Sequence, residues 1–383
     1  MATSFILGAG FSVPAKYPSG HTLNEKFFKN LENNILKFSS GEWKWDEYDI
    51  STAQNGRLNW DHLNISYLLS VLIEHFQMET FMPFDYEEFY DWINKAYPEE
   101  LIKKCCTTVN IRLEKDFKEL PKVYLFQDPG LNEYRSVQEC YSYLIADILN
   151  RPYKREENGN LYDQFIELLR KESAADIFTL NHDNLLEYLL TIRGLQYSDG
   201  FTAEGSLICN DQKKQLPVFN DVYSEAIKIH KLHGSIDYYQ FSEMEQSQGG
   251  VYYDTGKYWF FKTNNYWDIH TASLINSDTK EIVQSLNPDI KPQFLTGKSK
   301  QLTISEHQIY KQLYSHLKES LATTNKLVII GYSYRDKHIN EEIKQCIENN
   351  SCEIFNVNPY VAFPFRRNYS QTNIHELDSI SSL

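Results

Sequence analysis

Several short motifs carry side chains that could do chemistry, and most of them follow an apolar run that predicts a buried β-strand. The clearest is TLNHD at 179–183, where a carboxamide and a carboxylate come directly after the strand-like segment 176–179. Open α/β sheets build their ligand crevices at the carboxyl ends of strands, so Asn181 and Asp183 are candidate site residues. Both residue types also cap helices, and for an isolated Asn-x-Asp capping is the stronger interpretation.

A glycine-rich turn, GAGFS at 8–12, follows the first predicted strand at 3–7. A pair of glycines lets the backbone approach a phosphate closely, and the start of a helix adds a favourable partial charge. Val13 occupies the position of the third glycine in the usual dinucleotide fingerprint. A tight turn that needs glycine for steric reasons is therefore an equally good interpretation. The candidate binding residues here are Gly8, Ala9, Gly10 and Ser12.

Three later motifs complete the set: KLHGS at 231–235, GYSYRD at 331–336 and FNVNP at 355–359. A histidine at a strand end can act as a general base near neutral pH, although a partly buried histidine bonded to the backbone is commoner. Small and hydroxyl-bearing residues can hold a phosphate or a ribose, whereas Asp336 is interpreted as a helix cap. The candidates from these motifs are His233, Gly331, Ser333, Asn356 and Asn358.

Helical and strand-like patterns alternate along the chain, and continuous β-branched runs supply the strands. These patterns predict a parallel, doubly wound sheet. The predicted strands are 3–7, 176–179, 226–232, 326–330, 352–357 and 374–377, and two short antiparallel strands are predicted at 250–253 and 257–261. The main predicted helices are 20–38, 84–96, 99–117, 137–149, 161–171, 183–192, 306–321 and 337–348. The aromatic segment 238–267 could cover a pocket, form a subunit contact or be an exposed decoration.

Composition excludes several classes of protein. The 383 residues are 42% hydrophobic and 14% aromatic, which allows a sizeable core, yet no apolar run approaches the roughly 20 residues of a membrane span. The net charge of −14 disfavours direct binding to nucleic acid. None of the six cysteines forms a Cys-x-x-Cys pair, so the spacing typical of zinc sites is absent. The amino terminus lacks a basic region before its apolar run, and we expect a cytoplasmic protein with reduced thiols.

Taken in order, the motifs resemble the sirtuin family. Sirtuins carry a Gly-Ala-Gly-x-Ser loop, a Thr-x-Asn-x-Asp strand end, a His-Gly segment, a Gly-x-Ser segment and a late Asn, and this chain has all five in the same order. The resemblance implies an α/β fold with a Rossmann-like, doubly wound parallel sheet and a large helical insertion. Residues 1–24 plus 165–383 would form the NAD-binding core, and 25–164 would form the mostly helical insertion.

The resemblance also implies roles for the candidate residues. Asn181 would lie beside the nicotinamide ribose and help to place the attacking water, Asp183 would hydrogen-bond the nicotinamide carboxamide, and His233 would be the base. The residues expected to bind the rest of NAD are Gly8, Ala9, Gly10, Ser12, Gly331, Ser333, Asn356 and Asn358.

Two departures from the deacylating sirtuins shape the functional prediction. No four-cysteine zinc module follows the His-Gly segment, and VPAK at 13–16 replaces the Gly-Ile-Pro-Asp-Phe-Arg loop. The chain therefore resembles the bacterial sirtuin-like NAD hydrolases of anti-phage defence. We expect a zinc-free, homo-oligomeric NAD glycohydrolase, with a DNA-translocase ATPase as a possible partner and no contact with nucleic acid or membrane. The alternatives are a non-catalytic module that senses NAD or ADP-ribose, and a zinc-free protein deacylase.

Overall fold

The computed structural model describes residues 3–30, 36–39, 42–45, 60–81, 83–95, 98–117, 125–127, 129–153, 160–285, 288–296, 300–349, 352–365 and 373–383. The helices of these residues are α1 (Ala9–Ser12), α2 (Gly20–Asn30), α3 (Trp60–Thr80), α4 (Tyr86–Ile93), α5 (Glu99–Asp116), α6 (Leu131–Leu149), α7 (Asp163–Lys171), α8 (Leu185–Ile192), α9 (Tyr266–Thr271), α10 (Lys300–Glu306), α11 (Gln308–Thr323) and α12 (Lys337–Asn349). The strands are β1 (Thr3–Leu7), β2 (Leu36–Ser39), β3 (Glu42–Trp45), β4 (Ala175–Thr179), β5 (Tyr197–Ser198), β6 (Gly200–Thr202), β7 (Ile208–Cys209), β8 (Val218–Val222), β9 (Ile227–Lys231), β10 (Gly234–Ser235), β11 (Tyr238–Gln246), β12 (Tyr252–Lys262), β13 (Ser273–Ile275), β14 (Ile282–Ser285), β15 (Pro288–Asp289), β16 (Gln293–Phe294), β17 (Lys326–Ile330), β18 (Glu353–Val357) and β19 (Ile374–Leu377).

A seven-stranded parallel sheet forms the centre of the fold, with the order β19-β18-β17-β1-β4-β9-β5. The chain builds outward from β1 through β4 to β9, then returns to the other side of β1 and continues through β17, β18 and β19. This is the 3-2-1-4-5-6 order of a doubly wound sheet, with β5 as an added edge strand. The direction reverses between β1 and β17, so the ligand crevice is expected at the carboxyl ends of these two strands.

Side chains alternate between the two faces of the sheet, as the pleat requires. Ile6 and Phe178 pack on one face with residues of α11 and α12. Phe5 and Ile177 pack on the opposite face with residues of α7 and α8. Helices therefore cover both faces, which explains why the strands read as continuous apolar runs, and the predicted doubly wound α/β class is confirmed.

Helices α2 to α6 share a separate apolar cluster. Aromatic rings dominate it, and the rings of Phe89 and Tyr141 meet edge to face with centroids 4.8 Å apart. Ile236 and Phe294, from the segment after β9, join the same cluster, so the helical region packs against the sheet domain beside the end of β9. The division into a core of 1–24 plus 165–383 and an insertion of 25–164 stays a prediction. Among the helices in the described ranges, none is both long and apolar enough to cross a membrane.

The segment after β9 forms antiparallel structure, and one prediction for it is wrong. Residues 250–253 and 257–261 do not form two strands; 252–262 form the single strand β12, which pairs with β11. The register shifts between the pair Ser242–Tyr258 and the pair Met244–Asp254. Gly256 lies in this irregularity, with φ +76°. A glycine that indicates a turn in the sequence thus accommodates a bulge inside a strand.

Three predicted helix boundaries also differ. The helix predicted at 20–38 ends at Asn30, and residues 36–38 belong to β2, which pairs with β3. The helix predicted at 306–321 belongs to two helices, because His307 is extended (φ −97°, ψ 124°) between α10 and α11. The helix predicted at 137–149 begins at Leu131, where the Gly130 N–H donates to Glu133 at 2.6 Å.

Candidate active site

The turns after β1 and β17 are in direct backbone contact. The Gly8 N–H donates to the Ile330 carbonyl and the Gly10 N–H to the Gly331 carbonyl, both at 2.9 Å. A Cβ on Gly8 would lie 2.6 Å from the Gly331 oxygen, and a Cβ on Gly10 would lie 2.6 Å from the Gly331 Cα. Gly331 itself has φ +61°, a conformation that favours glycine. The contact therefore requires glycine at all three positions, and it lies where the sheet reverses direction.

This geometry gives the glycine turn a clear steric role. The amide hydrogens of Gly8 and Gly10 are used within the fold, so a phosphate bound here would have to contact other groups. Ala9 is exposed at the turn, whereas Ser12 is buried beneath it. Phosphate binding by this turn stays a prediction.

Asn181 connects the end of β4 to the glycine turn. Its Nδ2 donates to the Gly8 carbonyl and to the Ser12 Oγ, both at 3.0 Å. A backbone carbonyl can only accept, so the amide nitrogen must face Gly8, and Oδ1 faces away from it. The two residues are 173 positions apart in the chain and meet because β1 and β4 are neighbours in the sheet. Asn181 therefore keeps an acceptor oxygen at the edge of the crevice.

Asp183 is buried two residues before helix α8 begins. Its Oδ1 accepts the Leu185 N–H at 3.0 Å, whereas Asn184, the N-cap residue of α8, makes no capping hydrogen bond with its side chain. Burial raises the pKa of this carboxyl above its usual value, and Lys231 partly offsets that rise. A raised pKa favours the protonated acid, which can donate a hydrogen bond. The predicted contact with a carboxamide stays a prediction.

His233 is buried at the end of β9, and its Nε2 has no hydrogen-bond partner among the described residues. Burial holds the pKa of His233 well below 6.5, and the nearby Lys300 lowers it further, while a backbone hydrogen bond with Leu180 acts in the opposite direction. The ring is therefore neutral near pH 7. Since Nε2 is the unpartnered nitrogen, a ring that donates from Nδ1 to Leu180 presents Nε2 as a proton acceptor.

A buried lysine joins the two loops that carry Asn181 and His233. Lys231 Nζ donates to the Asp183 carbonyl and the Asn184 Oδ1 at 2.7 Å, and to the Ser235 Oγ at 2.8 Å. It also forms an ion pair with Glu187 at 3.0 Å. Asn184 follows Asn181 on one loop and Ser235 follows His233 on the other, so one ammonium group fixes the separation of the two candidate catalytic residues.

A second lysine lies near His233. Lys300 Nζ is 3.1 Å from Asp336 and 3.2 Å from Glu87, and its side chain is largely buried. The Asp336 carboxylate is also 3.9 Å from His233 Nε2. The ring of His182 lies 6.3 Å from that of His233, centroid to centroid. Groups from the helical region, from α10 and from the turn after β17 thus converge beside His233.

The later motifs occupy the same edge of the sheet, but their side chains differ in availability. Ser333 is exposed after Gly331. Asn356 is fully buried and bonded to Tyr334, Val361 and Glu376. Asn358 donates to the Tyr332 carbonyl and accepts the Tyr360 and Val361 amides. Both asparagines therefore hold the loop after β18, and their predicted contacts with a ribose stay predictions.

Sequence reasoning missed four residues that shape the site. Lys231 looked like a strand residue, and Asp336 was interpreted as a helix cap. Lys300 and Glu87 carry no local motif, and their ion pair joins segments far apart in the chain. The sequence offered a signal only for Lys231. A lysine is rarely buried without a partner, so a lysine in an apolar alternating run indicates a buried polar group nearby.

The donor set decides which groups this site could hold. Within the described ranges, no cluster of three or more His, Cys, Asp or Glu side chains is arranged to hold a metal ion. The unpartnered Nε2 of His233 is a buried polar atom, which suits a ligand hydroxyl or a water molecule. Ser333 adds an exposed residue with a hydroxyl group after β17. These residues fit a dinucleotide better than a metal.

Comparison with solved structures returns sirtuins at low identity. A Sir2 homologue in complex with NAD is 10% identical with a TM-score of 0.35, covering 100% of this chain and 85% of the other. Sir2Tm bound to a propionylated peptide is 12% identical with a TM-score of 0.35, covering 100% of this chain and 90% of the other. No curated protein matches the chain. The model of the SIR2-like domain matches residues 175–378, more than half of the sequence, and the chain belongs to the SIR2-like domain family.

Proposed function

We propose that this protein is an NAD hydrolase that cleaves NAD to nicotinamide and ADP-ribose. The observation that carries the proposal is the position of Asn181, whose amide bonds to Gly8 and Ser12 where the sheet reverses direction. Its Oδ1 is left to orient a water or a ribose hydroxyl. Membership of the SIR2-like family supports NAD as the substrate.

The chemistry needs few groups, and the site has candidates for each. The bond between C1′ of the ribose and the nicotinamide nitrogen breaks, and its electron pair leaves with nicotinamide. The ribose passes through an oxocarbenium-like state of the kind that glycosidases also handle. A water oxygen bonds to C1′, and the water proton moves to Nε2 of His233, from which it returns to solvent. Asn181 Oδ1 orients the attacking water, and Asp183 bonds the carboxamide of the leaving group.

The remaining contacts follow the chain along the crevice. We place the pyrophosphate beside the exposed residues Ala9 and Ser333, which follow β1 and β17. Gly8, Gly10 and Gly331 hold the two turns together, so their contribution is to shape the floor of the site. Asn356 and Asn358 hold the loop that borders the adenosine ribose.

The wider role rests on the resemblance to bacterial anti-phage NAD hydrolases. In this role the protein depletes cytoplasmic NAD when a phage is detected. It acts as a homo-oligomer, and a DNA-translocase ATPase is the candidate partner that would supply the trigger.

A second candidate function is a non-catalytic module that senses NAD or ADP-ribose. In this alternative, Asn181 would serve only to hold the glycine turn through its two amide hydrogen bonds. In a sensor the nucleotide would bind in the same crevice and remain intact.

The test is chromatographic measurement of nicotinamide and ADP-ribose after incubation of the purified protein with NAD, alone and with the protein encoded beside it. We expect Asn181→Ala and His233→Ala to reduce nicotinamide release at least 100-fold, the scale of a lost general base, while the circular dichroism spectrum stays unchanged. His375→Ala is the matched control, since His375 pairs with Glu353 away from the site.

The outcomes separate the two functions. Unchanged nicotinamide release by either site variant would contradict the assigned roles. NAD that binds in a calorimeter, but stays intact with the partner and a phage trigger present, would refute hydrolysis and support the sensor.

A further inference from the structure

Beside His233 lies a chain of ion pairs that the reaction described above does not use. Lys300 bridges Glu87 of α4 and Asp336, which precedes α12. Asp336 in turn faces Nε2 of His233 at 3.9 Å. Two carboxylates and one ammonium thus lie together, and if all three are charged they leave one net negative charge next to a buried, neutral imidazole.

The charges around His233 oppose one another. Lys300 disfavours its protonated form, and the neighbouring rings of His182 and His338 act in the same direction. Asp336 is the carboxylate within reach of the nitrogen that would receive a proton. A nearby opposite charge stabilises an ionised group, and a like charge destabilises it. Burial is the largest influence on the proton affinity of His233, and Lys300 and Asp336 are charged groups of opposite sign that can adjust it.

Hydrogen bonds hold both the backbone and the side chain of Asp336 in place. Its backbone N–H donates to the Tyr332 hydroxyl at 3.2 Å, and the same hydroxyl donates back to the Asp336 carbonyl at 3.1 Å. Its side chain is directed to Lys300 at 3.1 Å rather than to solvent. These contacts hold the Asp336 carboxylate facing Nε2, where it can stabilise the ring once that nitrogen is protonated.

We propose that Asp336 is the positioning residue for His233, that it stabilises the imidazolium formed when His233 accepts the water proton, and that Lys300 limits this effect. The proposal rests on His233 being the base of the proposed NAD hydrolase. Glu87 shares the Lys300 ammonium with Asp336, so the helical region takes part in setting the charge beside His233.

The first experiment compares pH profiles of NAD hydrolysis for Asp336→Asn and Lys300→Met. Asp336→Asn is expected to lower kcat at least 10-fold with KM changed less than threefold, because the lost interaction forms only when His233 is protonated. Lys300→Met is expected to move the acid limb of kcat/KM upward by about one pH unit, the scale for removing one neighbouring charge. In Asp336→Asn the acid limb moves downward or leaves the measurable range.

Opposite shifts are the signature, because a purely structural loss would move both profiles in the same direction or neither. Lys103→Met and Asp254→Asn are the matched controls: Lys103 pairs with Glu99 on an exposed helix face, and Asp254 lies exposed on β12. Both controls should keep the wild-type profile. An Asp336→Asn enzyme with wild-type kcat, or a Lys300→Met enzyme with an unmoved acid limb, would overturn the proposal.

A second measurement does not depend on activity. Titration of ¹³C-labelled histidine by NMR, with the His233 signal identified by its absence in His233→Gln, reports protonation of the ring directly. Lys300→Met should raise the pKa of His233, and Asp336→Asn should not. If the wild-type protein fails to cleave NAD, the proposed function falls while this titration still decides whether Asp336 and Lys300 control His233. A His233 titration unchanged in Lys300→Met refutes the inference even in an active enzyme.

Discussion

Replacement of Gly331 by alanine tests whether the two turns at the crevice depend on their backbone contact. A Cβ at this position would lie 2.3 Å from both the Cα and the carbonyl carbon of Gly10, and 2.4 Å from the Phe11 nitrogen. All three are backbone atoms, so no flexible side chain can move aside. The hydrogen bond from the Gly10 N–H to the Gly331 carbonyl fixes the separation of the two segments.

Two costs add at Gly331. The left-handed backbone, at φ +61°, costs an alanine about 1–2 kcal/mol. Overpacking against an unyielding neighbour adds about 1–3 kcal/mol. We therefore expect the free energy of unfolding to fall by roughly 2–5 kcal/mol, which corresponds to a decrease in Tm of about 2–6 °C for a chain of this size.

Gly205→Ala is the matched control for this prediction. Gly205 has φ +74°, and a Cβ there would meet no atom within 4 Å. It therefore carries the conformational cost without the clash, and we expect a loss of about 1–2 kcal/mol.

Urea unfolding and thermal melts of the two variants, measured beside the wild type, give the difference that belongs to the clash. Nicotinamide release should fall in Gly331→Ala as well, since separation of the turns displaces the carbonyl that Asn181 contacts. A Gly331→Ala protein no less stable than Gly205→Ala would refute the close-contact argument.

Two further predictions concern buried ionisable groups. Lys231→Met leaves Glu187 without its cation, and we expect the free energy of unfolding measured in urea to fall by about 3–5 kcal/mol. The double variant Lys231→Met/Glu187→Gln should recover a substantial part of this loss. A double variant no more stable than the single one would contradict this account. Burial lowers the pKa of His182 from 6.5 to about 4, so the folded state binds fewer protons than the unfolded state between these values, and stability should fall as pH decreases from 6.5 to 4. The full contribution is roughly 3 kcal/mol, and His182→Gln, but not His21→Gln at an exposed position, should flatten this part of the stability curve.

Strand positions were the most predictable part of the fold. The predicted bounds of β1, β17 and β19 agree with the structure, because each is a short β-type run bounded by turn or polar residues. The sequence predicted that these strands form a doubly wound parallel sheet, but it did not predict their order in that sheet. Helix ends were less predictable, as at His307, because an extended residue between two helices leaves little trace in apolar periodicity.

The motifs were found at one edge of the sheet, but the function of their atoms was not readable from the residue types. Glycines that suggested phosphate contact have their amide hydrogens bonded to the neighbouring turn. Asn356 and Asn358, chosen as ribose contacts, hold the loop after β18. In each case the competing partner lies on another strand or loop, and sequence distance does not report it.

The amino-acid sequence alone determined which residues stand at strand ends and in which order, because strand and turn preferences act over a few neighbouring residues. The tertiary structure alone decided which of those groups are satisfied and which remain free. It also brought Glu87, Lys300 and Asp336 to the side of His233, and it placed Lys231 between two loops. Such contacts depend on packing between distant segments, and the strength of their charges depends on burial, which no local pattern contains.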